Sequence, residues 1–541
     1  MILDALHSLT TRKDIDADVC IIGAGPAGLV VARRLLPTRA RVVVLESGGL
    51  VEETASRELD AGRVVGGPYA DLRTVRCRRV GGTVNLWNTE VDGKPAAKYV
   101  PLDPIDFEAR EGYAHSGWPF GYDEIEPWYR EAQALCGLGP FEYGATAWSR
   151  PGREPLALDE RLVESKVYQF GTAAPFLEAS IALLRDDDRV TLLQHATVVE
   201  LEGHGGGRNA DGVSVSGAAV AVGPHAQRLR IHAGVFVLAA GAIENARLLL
   251  ASVGREGRSL GNEHDLVGRY FMEHPRDYGL TLLPSGRSSP SLRSFFEEAA
   301  FYDRHRSEDG TIVMGRLAVP PHALREGSEL QASATLIPAV PSPSVWRRTR
   351  ARLRISRTPS RQPPADYPRG GPGWSRREAS SLAPAGMRLL LNLEQAPRPD
   401  NRVVLGRERD AYGRRLPELH WRWTEAEQRA LEETRRRFAK ALESAGYGRV
   451  QVSEGTAPDP NAHHHAGTTR MHADPRCGVV DASCRVHGVE NLFIAGASVF
   501  PTAGFANPML TMVALAARLG ARLARSYTER DSGRDASPPG P

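Results

Sequence analysis

The sequence predicts an α/β protein, because three separated stretches each read as a short apolar strand, a glycine turn and a helix. Residues 18–22 (DVCII) run into Gly23-Ala24-Gly25-Pro26-Ala27-Gly28 and then LVVARRLL. Residues 227–238 alternate as a strand and continue into AAGAIENARLLL. Residues 491–495 form a strand before Gly496-Ala497-Ser498, and a helical apolar pattern covers 509–524.

The first stretch is the most specific. Gly23 permits a tight turn, Gly25 lets backbone N–H groups approach a pyrophosphate, and Gly28 allows close helix–strand packing. A second strand, 41–45, ends on Glu46, an acid placed to bond ribose hydroxyls. The pattern predicts a bound dinucleotide without separating FAD from NAD. A second glycine turn at Gly241 favours a flavoprotein over a nicotinamide dehydrogenase. Residues 78–89 hold the pair Gly81-Gly82, where the chain can pass close to a flat ligand, with Asn85 just beyond. Residues 117–137 read as a turn and an amphipathic helix with core aromatics.

Residues 189–201 and 227–238 read as strands joined through a Gly/Asn-rich turn at 204–212. Residues 310–319, 329–340 and 387–395 are strand-like, and 424–446 is a long helix opened by Thr424 with Glu427 three residues on. Between them, 345–377 is rich in Pro and Arg and reads as a mobile basic loop, a candidate lid over an entrance. The tail after Arg525 reads as disordered.

Composition narrows the class. The chain has 541 residues, 41% hydrophobic and 25% charged, with a formal charge of +3. That is an ordinary globular balance with room for more than one core, and too little charge for nucleic acid as the main partner. Lysine stands only at Lys13, Lys94, Lys98, Lys166 and Lys440, so nearly all 68 basic residues are arginine. Five scattered cysteines suit a reducing cytoplasm. No signal peptide and no run of roughly 18 apolar residues is visible, so neither export nor a membrane is expected.

Residues 462–511 carry the candidate chemistry. Three histidines, His463, His464 and His465, precede Ala466-Gly467-Thr468, and the stretch ends at Asn507-Pro508 before the last helix. Pro508 suits a helix start, where its missing N–H is no loss. A histidine loop beside a helix N-terminus fits a reaction that removes a proton and builds negative charge. Three adjacent ligands make poor metal geometry on an extended chain, so no metal is expected.

This run (HxxGTxRM from His464, then VVD, RVHGVENLFIAGASVFPT and ANPMLT) resembles the C-terminal signature of the glucose–methanol–choline (GMC) oxidoreductases, FAD enzymes that oxidise alcohols. The resemblance implies a Rossmann-like FAD-binding domain with an α+β substrate-binding domain. It assigns 1–112, 189–282 and 459–526 to the FAD domain, 113–188 and 283–458 to the connecting and substrate-binding parts, and 527–541 to a tail. It puts His464 on the catalytic base and Asn507 on the second active-site position. Gly81, Gly82, Asn85, Val199, Gly241, Gly496, Ala497 and Pro508 join Gly23, Gly25, Gly28 and Glu46 as cofactor contacts. Some relatives bond FAD covalently through a histidine before the tryptophan; Leu86 precedes Trp87 here, so non-covalent FAD is expected. His274, in a further family-like segment, reads as structural.

The expected partners are a small-molecule alcohol and oxygen or another electron acceptor. The motif forms are closest to carbohydrate-oxidising members, including bacterial enzymes that turn the 6′-hydroxymethyl of an aminoglycoside such as paromamine into an aldehyde. A cationic substrate of that kind needs a pocket carboxylate, for which Glu394 is a candidate. A dehydrogenase for another sugar or alcohol, or a lyase on the same scaffold, stays open.

Overall fold

The computed structural model describes residues 1–8, 14–205, 212–223, 227–254, 257–284, 292–326, 329–339, 374–375 and 386–535. Two sheets dominate them, each with its own apolar core.

The first sheet contains β1 (Ile2–Asp4), β2 (Asp14–Ile22), β3 (Val42–Leu45), β8 (Val190–Gln194), β9 (Ala196–Gly205), β10 (Val213–Val222), β11 (Gln227–Leu238) and β20 (Leu492–Ile494). The order is β1-β8-β3-β2-β11-β10-β9, with β20 also against β11. Strands β1, β8, β3, β2, β11 and β20 are parallel, which explains apolar runs such as VVVL, buried along their whole length. Helices α1 (Pro26–Leu35) and α6 (Met509–Asp535) pack against each other beside this sheet. They approach so closely that a Cβ on Gly520 would lie 2.6 Å from the Arg34 Cβ.

Three details differ from the sequence reading. His195, at φ +54°, breaks the expected strand 189–201 into β8 and β9, and its ring is held by Asp4 and Glu53. Strand β10 was not expected; its Ser, Gly and Ala content hides the alternation. Helix α6 continues to Asp535, past the Arg525 where disorder was expected to begin.

The second sheet is antiparallel throughout. It contains β5 (Thr89–Val91), β6 (Lys94–Tyr99), β7 (Glu164–Thr172), β12 (Arg276–Leu283), β13 (His305–Arg306), β14 (Ile312–Ala318), β15 (Ala332–Ala339), β16 (Gly386–Leu393) and β19 (Arg449–Val452). Its order is β19-β12-β16-β15-β14-β7-β6-β5, with β13 against β14. One face packs under α5 (Glu425–Ser444), joining Leu280, Leu389 and Leu391 to Leu431, Phe438 and Leu442. That helix opens with the expected Thr424–Glu427 capping box. The other face turns Tyr168, Phe170 and Met314 toward the core of the first sheet.

Strands β5, β6 and β12 fall inside stretches assigned to the FAD domain, yet they pair into this second sheet. The chain therefore crosses between sheets earlier than those boundaries put it. A small third sheet joins β4 (Arg63–Gly66), β17 (Arg402–Arg409) and β18 (Arg415–Trp421). Helices α2 (Tyr122–Leu135), α3 (Ala174–Asp186) and α4 (Ala242–Ala251) complete the parts used below. The basic stretch 345–377 lies outside the described residues except at Trp374 and Ser375, where Trp374 packs on Phe296.

Candidate active site

Four parallel strands end level with one another. Leu45 pairs with Ile22, Ile22 with Leu238, and Leu238 with Ile494. The residues that follow, Glu46, Gly23–Gly25, Ala239–Gly241 and Ala495–Gly496, therefore share the carboxyl edge of the sheet, where open α/β folds bind ligands. A Cβ on Gly25, Gly241 or Gly496 would meet nothing within 4 Å, so these three border open space. Gly23 and Gly28 are different: a Cβ there would lie 2.5 Å from the Ala239 carbonyl oxygen and 2.0 Å from that of Gly23.

The Gly81-Gly82 turn, at φ +92° and +56°, closes this trough from the side. Gly81 N donates to the Ala24 carbonyl, and a Cβ on Gly82 would touch the Gly25 Cα at 3.4 Å. Asn85 ties the turn together by donating to the carbonyls of Val80 and Gly82. Glu46 accepts from the backbone N–H groups of Ala24 and Gly48, and burial raises its pKa. Strand β9 starts against Glu46, and Val199 sits in its bulge, lining a cavity of about 760 Å³ that also reaches Asp14, Leu250 and Tyr412.

A glycine-lined trough at a helix N-terminus, with a buried acid at the second strand end, fits a dinucleotide pyrophosphate and ribose. Beneath it lies an ion network that the sequence does not announce. Glu244 is surrounded by Arg76, Arg78, Arg247 and Arg414; burial opposes its ionisation, but these cations win and hold its pKa well below the usual carboxylate range.

The histidine loop comes to this edge through its own backbone. Thr469 N and Met471 N donate to the carbonyls of Ser498 and Val499, and Gly467 N donates to that of Ala497. Pro508 accepts from Met512 N at the start of α6. The three histidines then diverge. His463 is at φ +63°. His465 meets the Tyr69 hydroxyl at 2.9 Å and lies 3.4 Å from Glu273. His464 Nε2 is 3.0 Å from the Asn507 side-chain nitrogen. No group of three or more potential ligands among the described residues could hold a metal ion.

His274 enters the site as well. Its Nε2 is 3.1 Å from the Ala503 carbonyl oxygen, and its Nδ1 is 3.0 Å from Nδ1 of His464. A carbonyl only accepts, so His274 carries its proton on Nε2 and presents a lone pair at Nδ1. His464 must then donate from Nδ1, which leaves its lone pair at Nε2, facing the Asn507 amide donor. Burial, then neighbouring His274 and Arg276, holds the His464 pKa well below 6.5; burial lowers His274 to about 4. Both rings are neutral at pH 7. Glu273 fixes the backbone by accepting from N of both His274 and His464, and burial raises its pKa to about 7. Asn507 Oδ1 is buried without a partner.

Glu394 does not serve the role expected of it. Its carboxylate is closed in a two-pronged pair with Arg110, and Tyr113 approaches it too. It has no free charge for a cationic substrate.

Residues 397–516 match the GMC oxidoreductase family. That segment carries the GMC oxidoreductase C-terminal domain. It is 24% identical to the fructose dehydrogenase large subunit of Gluconobacter japonicus, over 94% of this chain and 98% of that one. It is 25% identical to paromamine 6′-oxidase of Streptomyces fradiae, over 95% and 92%. Pyridoxine 4-oxidase from Mesorbium loti shares the fold, with a TM-score of 0.54 at 17% identity, over 95% of this chain and 99% of that one. The GMC protein is thus a flavoenzyme of the alcohol oxidase and dehydrogenase class, with FAD as its cofactor. No helix among its described residues is long and apolar enough to cross a membrane.

Proposed function

We propose that this GMC enzyme oxidises a CH–OH group of a sugar-like alcohol, with His464 as the base and Asn507 as its partner. The observation that carries this reading is the Nε2 lone pair of His464, fixed by His274 and set 3.0 Å from the Asn507 amide. The substrate O–H donates its proton to His464 Nε2, a step that typically contributes about 10²–10⁴-fold. Asn507 donates to the same oxygen as negative charge grows on it. Bound FAD supplies the two-electron acceptor for the hydrogen on the carbinol carbon. The low pKa of His464 leaves it unprotonated before reaction and ready to release the proton afterwards.

Gly25, Gly241, Gly496 and Ala497 would line the FAD pyrophosphate, on the tight turn and close packing that Gly23 and Gly28 allow, and Glu46 would hold its ribose. Gly81, Gly82 and Pro508 would border the ring system. Leu86 offers no nucleophile before Trp87, which supports a non-covalent cofactor. An aminosugar hydroxymethyl is a second substrate reading, supported by the likeness to paromamine 6′-oxidase and weakened by the closed Glu394–Arg110 pair.

The test is an anaerobic screen of sugars, sugar acids, aminosugars and simple alcohols, read by bleaching of the flavin band. Bleaching by at least one alcohol is expected. A flavin that stays oxidised with all of them, while the protein performs acid–base chemistry, would favour a lyase. Repeating the screen with oxygen and peroxide detection separates oxidase from dehydrogenase.

A further inference from the structure

We propose that the substrate alcohol carries an anionic group, bound by Lys98, Arg276 and Arg316 on the sheet face beside the His464–Asn507 pair. The proposal rests on the oxidation reading above and adds the substrate's charge to it.

The three cations come from three strands but stand on one face. Lys98 on β6 pairs across with Phe170 on β7. Tyr168, two residues earlier and so on the same face, pairs with Met314 on β14, and Arg316 is two further along. Arg276 on β12 pairs with Asn392, whose amide donates to the Tyr168 hydroxyl at 3.3 Å. Tyr168 is the hub: the Lys98 ammonium lies 4.8 Å from its ring centre and the Arg316 guanidinium 5.2 Å. Arg316 also lies 4.5 Å from the Phe505 ring, two residues before Asn507. Arg276 is two residues beyond His274, which touches His464.

None of the three is paired with a carboxylate among the described residues, unlike several of the cations buried elsewhere in the protein. Arg76 and Arg78 meet Glu244 and Asp60, Arg247 meets Asp410, Arg435 meets Asp277, and Arg110 meets Glu394. Arg470 has no acid but is satisfied by the carbonyls of Ala114, His115 and Pro501. Arg316, 1% exposed, has only long bonds to the Val167 carbonyl and the Ser333 hydroxyl. The side chains of Lys98 and Arg276 have no hydrogen-bond partner among the described residues and keep some accessible surface, as side chains do when they line an internal space. Unpaired buried charge is costly, and three such cations together call for a mobile anion. Burial, with Arg276 and Arg316 as neighbours, pushes Lys98 down to about 7, a strain that a bound anion relieves. Glu273, the carboxylate that interacts electrostatically with Arg276, is held by the Tyr69 hydroxyl and the backbone N–H groups of His274 and His464, while Asp103 and Glu164 are engaged with Lys166 and Glu394 with Arg110.

The test uses the flavin-loaded enzyme without oxygen. Gluconate, glucuronate and glucose 6-phosphate are compared with glucose and paromamine as reductants. The anionic sugars should reduce the flavin with kcat/KM about tenfold or more above glucose. Preference for gluconate or glucuronate assigns a carboxylate; preference for glucose 6-phosphate assigns a phosphate. Glucose or paromamine matching them overturns the proposal. Lys98→Met and Arg276→Met should each lower the anionic-to-neutral preference about tenfold, while Lys98→Arg retains it.

Calorimetry with glutarate and with inorganic phosphate reads binding without turnover. Binding that weakens in Lys98→Met supports the proposal, and no heat with either anion overturns it. If no alcohol reduces the flavin but the anions bind, the oxidation reading fails and the anion site stands.

Discussion

Replacing His274 with alanine tests the tautomer assignment on which the chemistry depends. Among the described residues, His274 Nδ1 is the only acceptor for His464 Nδ1, at 3.0 Å, in a partly buried setting. Without it a buried N–H is left unsatisfied, at a cost of about 1–3 kcal/mol. His464 escapes that cost by moving its proton to Nε2, where it can no longer act as base. At 1.36 kcal/mol per factor of ten, the usable tautomer falls by about 5- to 150-fold. The assay is stopped-flow reduction of the flavin at saturating alcohol without oxygen, with the flavin spectrum confirming that cofactor is retained. His274→Asn supplies a side-chain oxygen that can accept from His464, so it should recover most of the lost rate. A flavin-loaded His274→Ala enzyme within twofold of the wild-type rate would refute the assignment. Equal losses in the Ala and Asn variants would reduce His274 to a packing residue.

Gly25→Ala should fold normally and lose FAD affinity, since its Cβ enters open space in the trough, whereas Gly28→Ala should lower the apoprotein's melting temperature through its clash with the Gly23 carbonyl. Glu394→Gln should destabilise the fold by about 3–5 kcal/mol in denaturant titration, because it leaves the largely buried Arg110 unpaired. It should not change selectivity toward amino sugars. The pKa of His464 is lowered, so its neutral form persists as pH falls through 6.5; the acid limb of flavin reduction should lie below that value, and a limb centred at or above 6.5 would contradict the burial.

What the sequence disclosed was what local geometry imposes. Gly23, Gly25 and Gly28 sit where a turn, an open approach and a 2.0 Å contact leave little alternative, and the Thr424–Glu427 box marks its helix start by spacing alone. His464 and Asn507 were legible through the family pattern, and the fold brings them together across 43 residues of chain. The rest depends on partners far apart in sequence. His274 is 190 positions from His464, and Tyr69 is 204 from Glu273. Neither pairing leaves a periodic trace. Glu394 looked available as an isolated carboxylate only because Arg110, which closes it, lies 284 residues away. Lys98, Arg276 and Arg316 become a cluster only once the second sheet sets β12, β14 and β6 on one face, with β16 and β15 between the first two and β7 before the last.

The central claim is that one neutral imidazole removes the hydroxyl proton of the alcohol. Anaerobic reduction of the bound flavin in His464→Ala, with an alcohol that bleaches the wild type, measures it directly. The variant should keep its yellow cofactor and reduce it about 10²–10⁴-fold more slowly. Reduction at the wild-type rate would show that the proton leaves by another route.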